Sequence, residues 1–387
     1  MKITAIKNAQ IVLENGILWD GVLLLKDGKI EAFGKEREME IPKEAEIIDA
    51  EGKYVGPGFV DIHVHAGVKY STSFQPIEAA NHFLRHGETT ILATPFYDMN
   101  AEEMTRAMEC IREAMGKTKV IKGIYAEGPY LNPNYGANAQ ANPWRHGVYE
   151  EEYTKFVDAA GKLIKVWSIA PEVEGLKPFL EYARKVNPDV VFALGHSEAT
   201  PEEVRALGET YKPRIMTHIF DATGRKPVYG GTRGYGPDEY CLAEPDMYAE
   251  LISDSGGVHV HADMQRLLLQ AKGVHKIILI TDSTEETETP PQYAHITDLN
   301  FDPYGGICGS KMTMDLACKN IMQSTNCGIC QAFLMGSSNP AKAVGMFDTI
   351  GSIAPGKNAD LVFVDDKFNV DKVMLEGEIA VEKGELK

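Results

Sequence analysis

The chain has 387 residues, of which 44% are hydrophobic and 25% are charged. This balance is typical of a folded protein and excludes disordered, collagen-like and coiled-coil chains. Fifty-six acidic residues against 39 basic residues give a formal net charge of -17, which argues against a surface that binds nucleic acid or an anionic membrane. The length exceeds the size at which one hydrophobic core usually stops growing, so we expect one large domain with an appendage.

The hydropathy and the cysteines of the chain bear on its compartment. Met1 to Thr4 lead into a strand pattern, and no run of eighteen apolar residues occurs. Six cysteines in a chain of this length do not make a disulfide framework. The sequence therefore predicts a cytoplasmic protein.

The two ends of the chain share a strand-and-turn pattern. Residues 1–55 contain short strand-like runs with hairpin turns at Asn15-Gly16 and Asp27-Gly28. Near the C-terminus, residues 359–365 form another such run, and residues 372–383 form a hairpin pattern. We expect residues 1–55 and 346–387 to form one small β domain.

Between these ends, short apolar strands alternate with amphipathic helical stretches, as in parallel βα units. The helical stretches begin with caps such as Asn100 and the pair Thr200-Pro201. The predicted strands cover residues 59–65, 89–94, 120–127, 164–170, 190–196, 214–220, 249–253 and 276–282. Eight such units predict an α/β fold, a (β/α)8 TIM barrel over residues 56–345.

Several predicted strands end in a residue that can bind a metal or carry a proton. Because a strand alternates its faces with period two, His63 and His65 point the same way. The other such residues are Glu127, His196, His218 and Asp282, and strand seven runs on toward His259. Each alone is more often structural, but a barrel gathers these ends at its catalytic face. The mixture of imidazole and carboxylate therefore predicts a site for zinc or iron with an open position for water.

These residues stand in segments that resemble the amidohydrolase superfamily, and within it the N-acetylglucosamine-6-phosphate deacetylase family. The matching segments are residues 57–65 (PGFVDIHVH), 126–130 (AEGPY), 194–199 (LGHSEA), 217–220 (THIF), 257–260 (GVHV), 280–282 (ITD), 309–315 (GSKMTMD), 339–341 (NPA) and 355–362 (PGKNADLV). They extend from near residue 55 almost to the C-terminus.

The resemblance implies an architecture and a set of metal ligands. It implies a distorted barrel of the metal-dependent hydrolase type, a small β-sandwich built from both chain ends, and a homodimer whose partner loop reaches the substrate. Glu127, His196 and His218 match the main metal ligands of the family. His63 and His65 match the ligands of a second metal, which some members keep and others have lost.

The resemblance also assigns catalytic and substrate-binding roles. Asp282 matches the catalytic carboxylate, and His259 matches a substrate contact. Arg225 matches a phosphate contact, with Arg233 as a rival because the match requires a gap after Phe220.

Two positions depart from the pattern of the family. Asn138 stands where the family usually has a histidine that polarises the acetyl carbonyl. Either a second metal on His63 and His65 compensates, or nearby His146 takes the role, or the chemistry differs. Asp221, followed by Ala222, stands where an asparagine normally approaches the sugar phosphate. A carboxylate there repels a phosphate dianion unless a cation lies between them.

The implied reaction is hydrolysis of the N-acetyl group of an N-acetylhexosamine 6-phosphate, which releases acetate and the amino sugar phosphate. One or two divalent ions are expected, zinc first and iron or manganese as alternatives, with Asp282 moving the proton of the attacking water. Asn138 and Asp221 leave open another N-acyl or cyclic amide substrate. A barrel that only binds a ligand is disfavoured because the metal-capable and acidic residues are intact.

Overall fold

A barrel of eight parallel strands forms the centre of the chain in the computed structural model, which describes residues 2–137, 142–226 and 229–387. We number these strands 1 to 8 in chain order. They are Phe59–Val64, Glu88–Ala93, Ile121–Glu127, Ile164–Ile169, Val191–Leu194, Ile215–Met216, Tyr248–Ile252 and Ile277–Ile280. All eight predicted strands are confirmed, although each is shorter or shifted by a residue or more.

Strands 1 and 8 close the barrel without a regular ladder. The Asp282 backbone N–H donates to the His63 carbonyl at 3.0 Å, and the His65 N–H donates to the Ser283 carbonyl at 2.9 Å. These bonds lie just beyond the end of strand 8, so strands 1 and 8 are joined by hydrogen bonds at the carboxyl face of the barrel. The predicted distorted TIM barrel is therefore confirmed.

Eleven α-helices lie in the described parts of the chain, most of them in the connections between barrel strands. They are Pro76–Leu84, Ala101–Met115, Glu150–Ala160, Leu176–Val186, Pro201–Ala206, Gly208–Tyr211, Pro237–Ala243, Ala262–Lys272, Met314–Thr325, Ile329–Phe333 and Asn339–Ala343. The predicted caps form, since the Asn100 side chain accepts from Glu102 N and Glu103 N, and Thr200 accepts from Glu203 N. None of these helices has both the length and the apolar character needed to cross a bilayer.

A nine-stranded sheet joins the two ends of the chain. Its strands are Ile3–Leu13, Gly16–Lys26, Lys29–Lys35, Glu46–Asp49, Tyr54–Pro57, Leu361–Val364, Val370–Leu375, Glu378–Glu382 and Glu385–Leu386. The N-terminal part meets the C-terminal part where Tyr54–Pro57 pairs antiparallel with Leu361–Val364. Ile11, Leu23 and Phe363 belong to a core cluster distinct from that of the barrel. The exact domain boundaries, 1–55 with 346–387 and 56–345, stay a prediction.

Two short hairpins lie outside the barrel and the nine-stranded sheet. Leu299–Phe301 pairs with Ile307–Ser310, and Ala66–Gly67 pairs with Tyr70–Ser71. The first hairpin follows strand 8 and the second follows strand 1. Both therefore extend the carboxyl face of the barrel.

Glu88 is a buried carboxylate at the end of the barrel opposite to the carboxyl face. It begins strand 2, is 0% exposed, and accepts the Met314 N–H at 2.9 Å, whereas its Oε2 has no hydrogen-bond partner among the described residues. Burial, and then repulsion from Asp61 and Asp315, raise the pKa of Glu88 well above its ordinary value. The folded chain therefore favours the protonated form.

We expect Glu88→Gln to stabilise the protein at pH 8. The unfolded chain loses the Glu88 proton near the ordinary pKa and the folded chain only at a higher pH, so the carboxyl favours unfolding increasingly above that ordinary value. The amide removes this contribution, so the free energy of unfolding should rise by about 1–3 kcal/mol at pH 8. The difference from the wild-type chain should vanish toward pH 4. Chemical denaturation of both proteins across this range measures the difference. A difference in unfolding free energy that stays constant with pH would contradict the assignment.

Candidate metal centre

The carboxyl ends of four barrel strands bring five metal-capable side chains together. His63 lies near the end of strand 1 and His65 follows that strand, while Glu127 ends strand 3. His196 and His218 each lie two residues beyond the ends of strands 5 and 6. All five are buried, with exposed fractions of 8% or less.

The backbone turns sharply at three of the residues that surround this centre. His196, His218 and Asp282 have φ angles of 43°, 27° and 46°, in the left-handed region that side chains with a Cβ seldom adopt. Such residues cost of order 1–3 kcal/mol each and are typical of functional sites. The turns end strands 5, 6 and 8 and explain why these strands are shorter than predicted.

One group of donors surrounds Glu127 Oε1. His196 Nε2 lies 2.6 Å and His218 Nε2 lies 3.0 Å from this oxygen, and the two nitrogens are 3.0 Å apart. Gly136 packs closely on this group, since a Cβ at that position would lie 2.5 Å from His196 Nδ1. The three side chains are near enough to share one ion.

A second group shares the same carboxylate from the other side. His65 Nε2 lies 3.2 Å from Glu127 Oε2, and His63 Nε2 lies 3.7 Å from Glu127 Oε1. Asp282 Oδ1 faces both imidazoles, at 3.2 Å from His65 Nε2 and 3.6 Å from His63 Nε2. His63, His65 and Glu127 thus form a second candidate ligand set.

The donor atoms of the second group are buried without hydrogen-bond partners in the described chain. These atoms are His63 Nε2, His65 Nε2 and Glu127 Oε2. The outer nitrogens of the rings are engaged, because His63 Nδ1 lies 3.1 Å from Glu250 Oε2 and His65 Nδ1 lies 2.9 Å from the Thr94 carbonyl. A ring that donates from Nδ1 presents a lone pair at Nε2, which is the form that binds metal. The residues therefore fit a divalent metal.

The electrostatics of the centre favour a positive charge within it. Burial opposes the charge of Glu127, but His196 and His218 outweigh it and hold the pKa of Glu127 well below its ordinary value. Burial also disfavours charged His65, yet the nearby carboxylates of Asp282 and Glu127 raise the pKa of His65 to about 9. The carboxylates thus remain ionised and attract either protons on the imidazoles or a cation between them.

A cavity of about 270 Å³ opens above the first group and Asp282. Its lining residues include Asp221, Ala222 and Asp302. No lysine or arginine lines it in the described part of the chain. The cavity can therefore admit a small molecule, but it presents carboxylates rather than fixed cations near the candidate metal ligands.

The other residues singled out from the sequence lie in different surroundings. His259 Nδ1 is 3.1 Å from Asp254 Oδ2, and its Nε2 is buried with no partner among the described residues. Arg225 pairs with Glu239 at 3.1 Å and Arg233 reaches the same oxygen at 3.2 Å, and neither lines the cavity. Asn138 lies outside the described residues.

His146 lies in a different place from the one it would need to polarise an acetyl carbonyl in the cavity. Its Nε2 lies 2.8 Å from Glu152, and it is not among the residues that line the cavity. This histidine packs with Trp144 and Tyr149.

Sequence reasoning missed Glu250, and it named Asp254 on the continuation of strand 7 toward His259 without giving it a role. Glu250 contacts His63, and Asp254 accepts from His259 as well as from backbone N–H groups. The available signal was a carboxylate within the apolar strand 7 or two residues beyond its end, where an ionised side chain is costly unless it is paired. The pattern alone gives no partner for either residue.

The fold and the donor set define a metal-dependent hydrolase of the (β/α)8 class. The amidohydrolase family model matches residues 54–380, and the chain belongs to this family. It is 31% identical to the N-acetylglucosamine-6-phosphate deacetylase of Bacillus subtilis (strain 168), over 97% of this chain and 96% of that enzyme. It is 28% identical to the N-acetylgalactosamine-6-phosphate deacetylase of Escherichia coli O157:H7, over 96% and 97% of the two chains.

A solved structure agrees with these relationships. The crystal structure of N-acetylglucosamine-6-phosphate deacetylase from Pasteurella multocida matches with a TM-score of 0.84 and 25% identity. The match covers 97% of this chain and 99% of that chain. The barrel and the sheet from both chain ends are therefore shared with that protein.

We expect Glu127→Gln to release metal from both groups, because both use this carboxylate. The apparent affinity for Zn²⁺ should fall by more than about 100-fold, since the change removes a charged ligand itself. Elemental analysis after gel filtration measures the metal per chain. Glu88→Gln is the matched control, because it neutralises another buried glutamate, one that has no hydrogen bond to a histidine among the described residues. Full metal content in Glu127→Gln would show that Glu127 is not a ligand.

Proposed function

We propose that this amidohydrolase removes the N-acetyl group of an N-acetylhexosamine 6-phosphate, N-acetylglucosamine 6-phosphate first among them. The products are acetate and the amino sugar phosphate. The observation that carries the proposal is Asp282, which lines the small cavity and faces both His63 and His65 beside Glu127. Whole-length similarity to relatives with this activity supports the choice of substrate.

Glu127, His196 and His218 would hold a divalent ion, and His63 and His65 would hold a second one with Glu127. We propose zinc, with iron or manganese as alternatives, because all three suit imidazole and carboxylate ligands. The bound metal supplies Lewis acidity that lowers the pKa of water and polarises the acyl oxygen.

Asp282 is the proposed proton carrier. Burial disfavours its charge, but the imidazole of His65 at 3.2 Å and the charge of His63 lower the pKa of Asp282 below its ordinary value. The residue is therefore a carboxylate that can accept the proton of the attacking water. The same carboxyl, once protonated, can deliver that proton to the departing nitrogen.

The remaining substrate contacts are proposed from their positions. His259 offers an unpartnered Nε2, held in orientation by Asp254. Asp221 and Ala222 line the cavity beyond the metal ligands, where they would meet the sugar. Arg225 is the proposed phosphate contact and would have to leave Glu239, while the role of Asn138 stays a prediction. The homodimer and the cytoplasmic location also stay predictions.

A second candidate is hydrolysis of another N-acyl compound that carries no phosphate, or of a cyclic amide. The acidic lining favours it, since Asp221 and Asp302 face the cavity without a neighbouring lysine or arginine among the described lining residues. A dianion next to such carboxylates is repelled unless a cation intervenes. The two candidates differ in what phosphorylation of the substrate does to the rate.

Acetate release from metal-loaded protein tests the proposal. We expect N-acetylglucosamine 6-phosphate or its galactose epimer to be cleaved with a kcat/KM at least about 100-fold above that of unphosphorylated N-acetylglucosamine. Equal rates with and without phosphate would favour the second candidate. No acetate from either phosphorylated sugar, with zinc, iron or manganese restored, would refute the first.

We expect Asp282→Asn to lower kcat by about 10²–10⁴-fold, because the amide cannot accept the proton. Metal should remain bound to Glu127, His196 and His218, which elemental analysis of the same sample checks. Asp302→Asn is the control, since Asp302 lines the cavity but its side chain, within the described parts of the chain, accepts hydrogen bonds only from the backbone of its own turn. Its kcat should change by less than about 10-fold. Similar kcat values for the two variants would remove Asp282 from the proposed role.

A further inference from the structure

Glu250 is a buried carboxylate inside the barrel, behind the second group of donors. It lies on strand 7 and is 0% exposed. Its Oε2 lies 3.1 Å from His63 Nδ1 and accepts from the Tyr125 hydroxyl at 3.4 Å. No lysine or arginine pairs with it in the described chain. A buried carboxylate is costly without a positive partner, and His63 is the group that faces it.

A chain of neutral hydroxyl groups orients the Glu250 carboxylate. The Tyr125 hydroxyl lies 2.8 Å from Thr217 Oγ1, which lies 2.9 Å from Ser168 Oγ. These groups come from strands 3 and 4 and from the residue after strand 6. They orient Oε2 but bring no charge. The negative charge of Glu250 is therefore available to His63.

The four histidines of the centre differ in what lies behind them. The outer nitrogens of His65, His196 and His218 face backbone carbonyls, those of Thr94, Tyr135 and Asp221. Only His63, among these four, has a carboxylate at its outer nitrogen. A carboxylate behind a ligand histidine fixes its tautomer and makes its inner nitrogen a stronger ligand.

The carboxylate of Glu250 also lies close to the place where a second ion would bind. A first ion on Glu127, His196 and His218 uses the charge of Glu127, which the second group must share. His63 and His65 add only neutral donors when they bind metal. A second divalent ion close to the first is therefore opposed by repulsion unless another anion lies nearby. Asp282 supplies one such charge in the cavity, and Glu250 supplies one on the opposite side of His63.

We propose that Glu250 is a positioning residue that gives the His63 and His65 pair its affinity for a second divalent ion, acting through His63. The inference rests on the metal centre of the proposed function, but not on the identity of the substrate. It separates the two groups of donors, since Glu250 contacts neither His196 nor His218 in the described structure.

Zinc titration of the full-length, metal-free protein tests the inference. We expect the wild-type chain to bind two Zn²⁺ ions, and Glu250→Gln to bind the first with unchanged affinity and the second about 10–100-fold more weakly. The glutamine keeps the size of the side chain and its ability to accept from Nδ1, so the change isolates the charge. Competition with a chromophoric chelator and elemental analysis give both affinities.

Three comparisons make the result decisive. Glu88→Gln, the matched buried glutamate, should keep both affinities, whereas His63→Asn should lose the second ion. Tyr125→Phe removes one hydrogen bond to Glu250 but keeps its charge, so the second affinity should fall less than in Glu250→Gln. Tyr125→Phe also provides the test if Glu250→Gln does not fold.

The outcomes that overturn the inference are distinct from failure of the proposed function. A wild-type chain that binds one ion, or equal second affinities in wild type, Glu250→Gln and Tyr125→Phe, would overturn it. Loss of both ions in a folded Glu250→Gln would also do so. Absence of acetate release from a wild-type chain with two bound ions would instead reject only the substrate.

Discussion

The carboxylate of Glu127 is the constraint on which the rest of the centre depends. Its Oε1 is shared by His196 and His218, and its Oε2 faces His65. An ionised group buried to this degree is stable only when positive charge is near. The surrounding imidazoles supply this charge when protonated, and a bound metal would supply it otherwise. The positions of the side chains around Glu127 are consequently set by their contacts with one another and not by contacts with water.

The barrel brings these side chains together, and its packing offsets the backbone strain at the turns that hold them. Parallel strands gather their carboxyl ends at one face, and the left-handed turns at His196, His218 and Asp282 direct side chains inward there. The backbone conformation of each turn is locally unfavourable, and the packing of the large apolar core around the strands holds it in place. Below the ligands, the barrel interior is polar, with Tyr125 and Glu250 linking strand 3 and strand 7 to His63. Among the candidate metal ligands, His63 is therefore supported by a second layer of hydrogen bonds.

The cavity above the ligands has an unusual charge for the proposed substrate. Asp221 and Asp302 line it, while Arg225 and Arg233 share the carboxylate of Glu239 outside it. A phosphate would have to attract an arginine away from Glu239 or receive a cation from elsewhere. The proposed phosphate contact and the candidate metal ligands therefore lie in different parts of the chain.

The sequence by itself determined the eight-strand barrel, the sheet from both ends and the types of ligand, because strand periodicity, turn residues and capping residues act locally. It could also place His63 and His65 on one face, since period two is a property of a single strand. Only the tertiary structure decided that Glu250 lies behind His63, that Asp254 holds His259, and that Glu239 holds Arg225. These partners come from positions 5 to 187 residues apart, and their distances depend on how strands and loops pack, which no local pattern encodes.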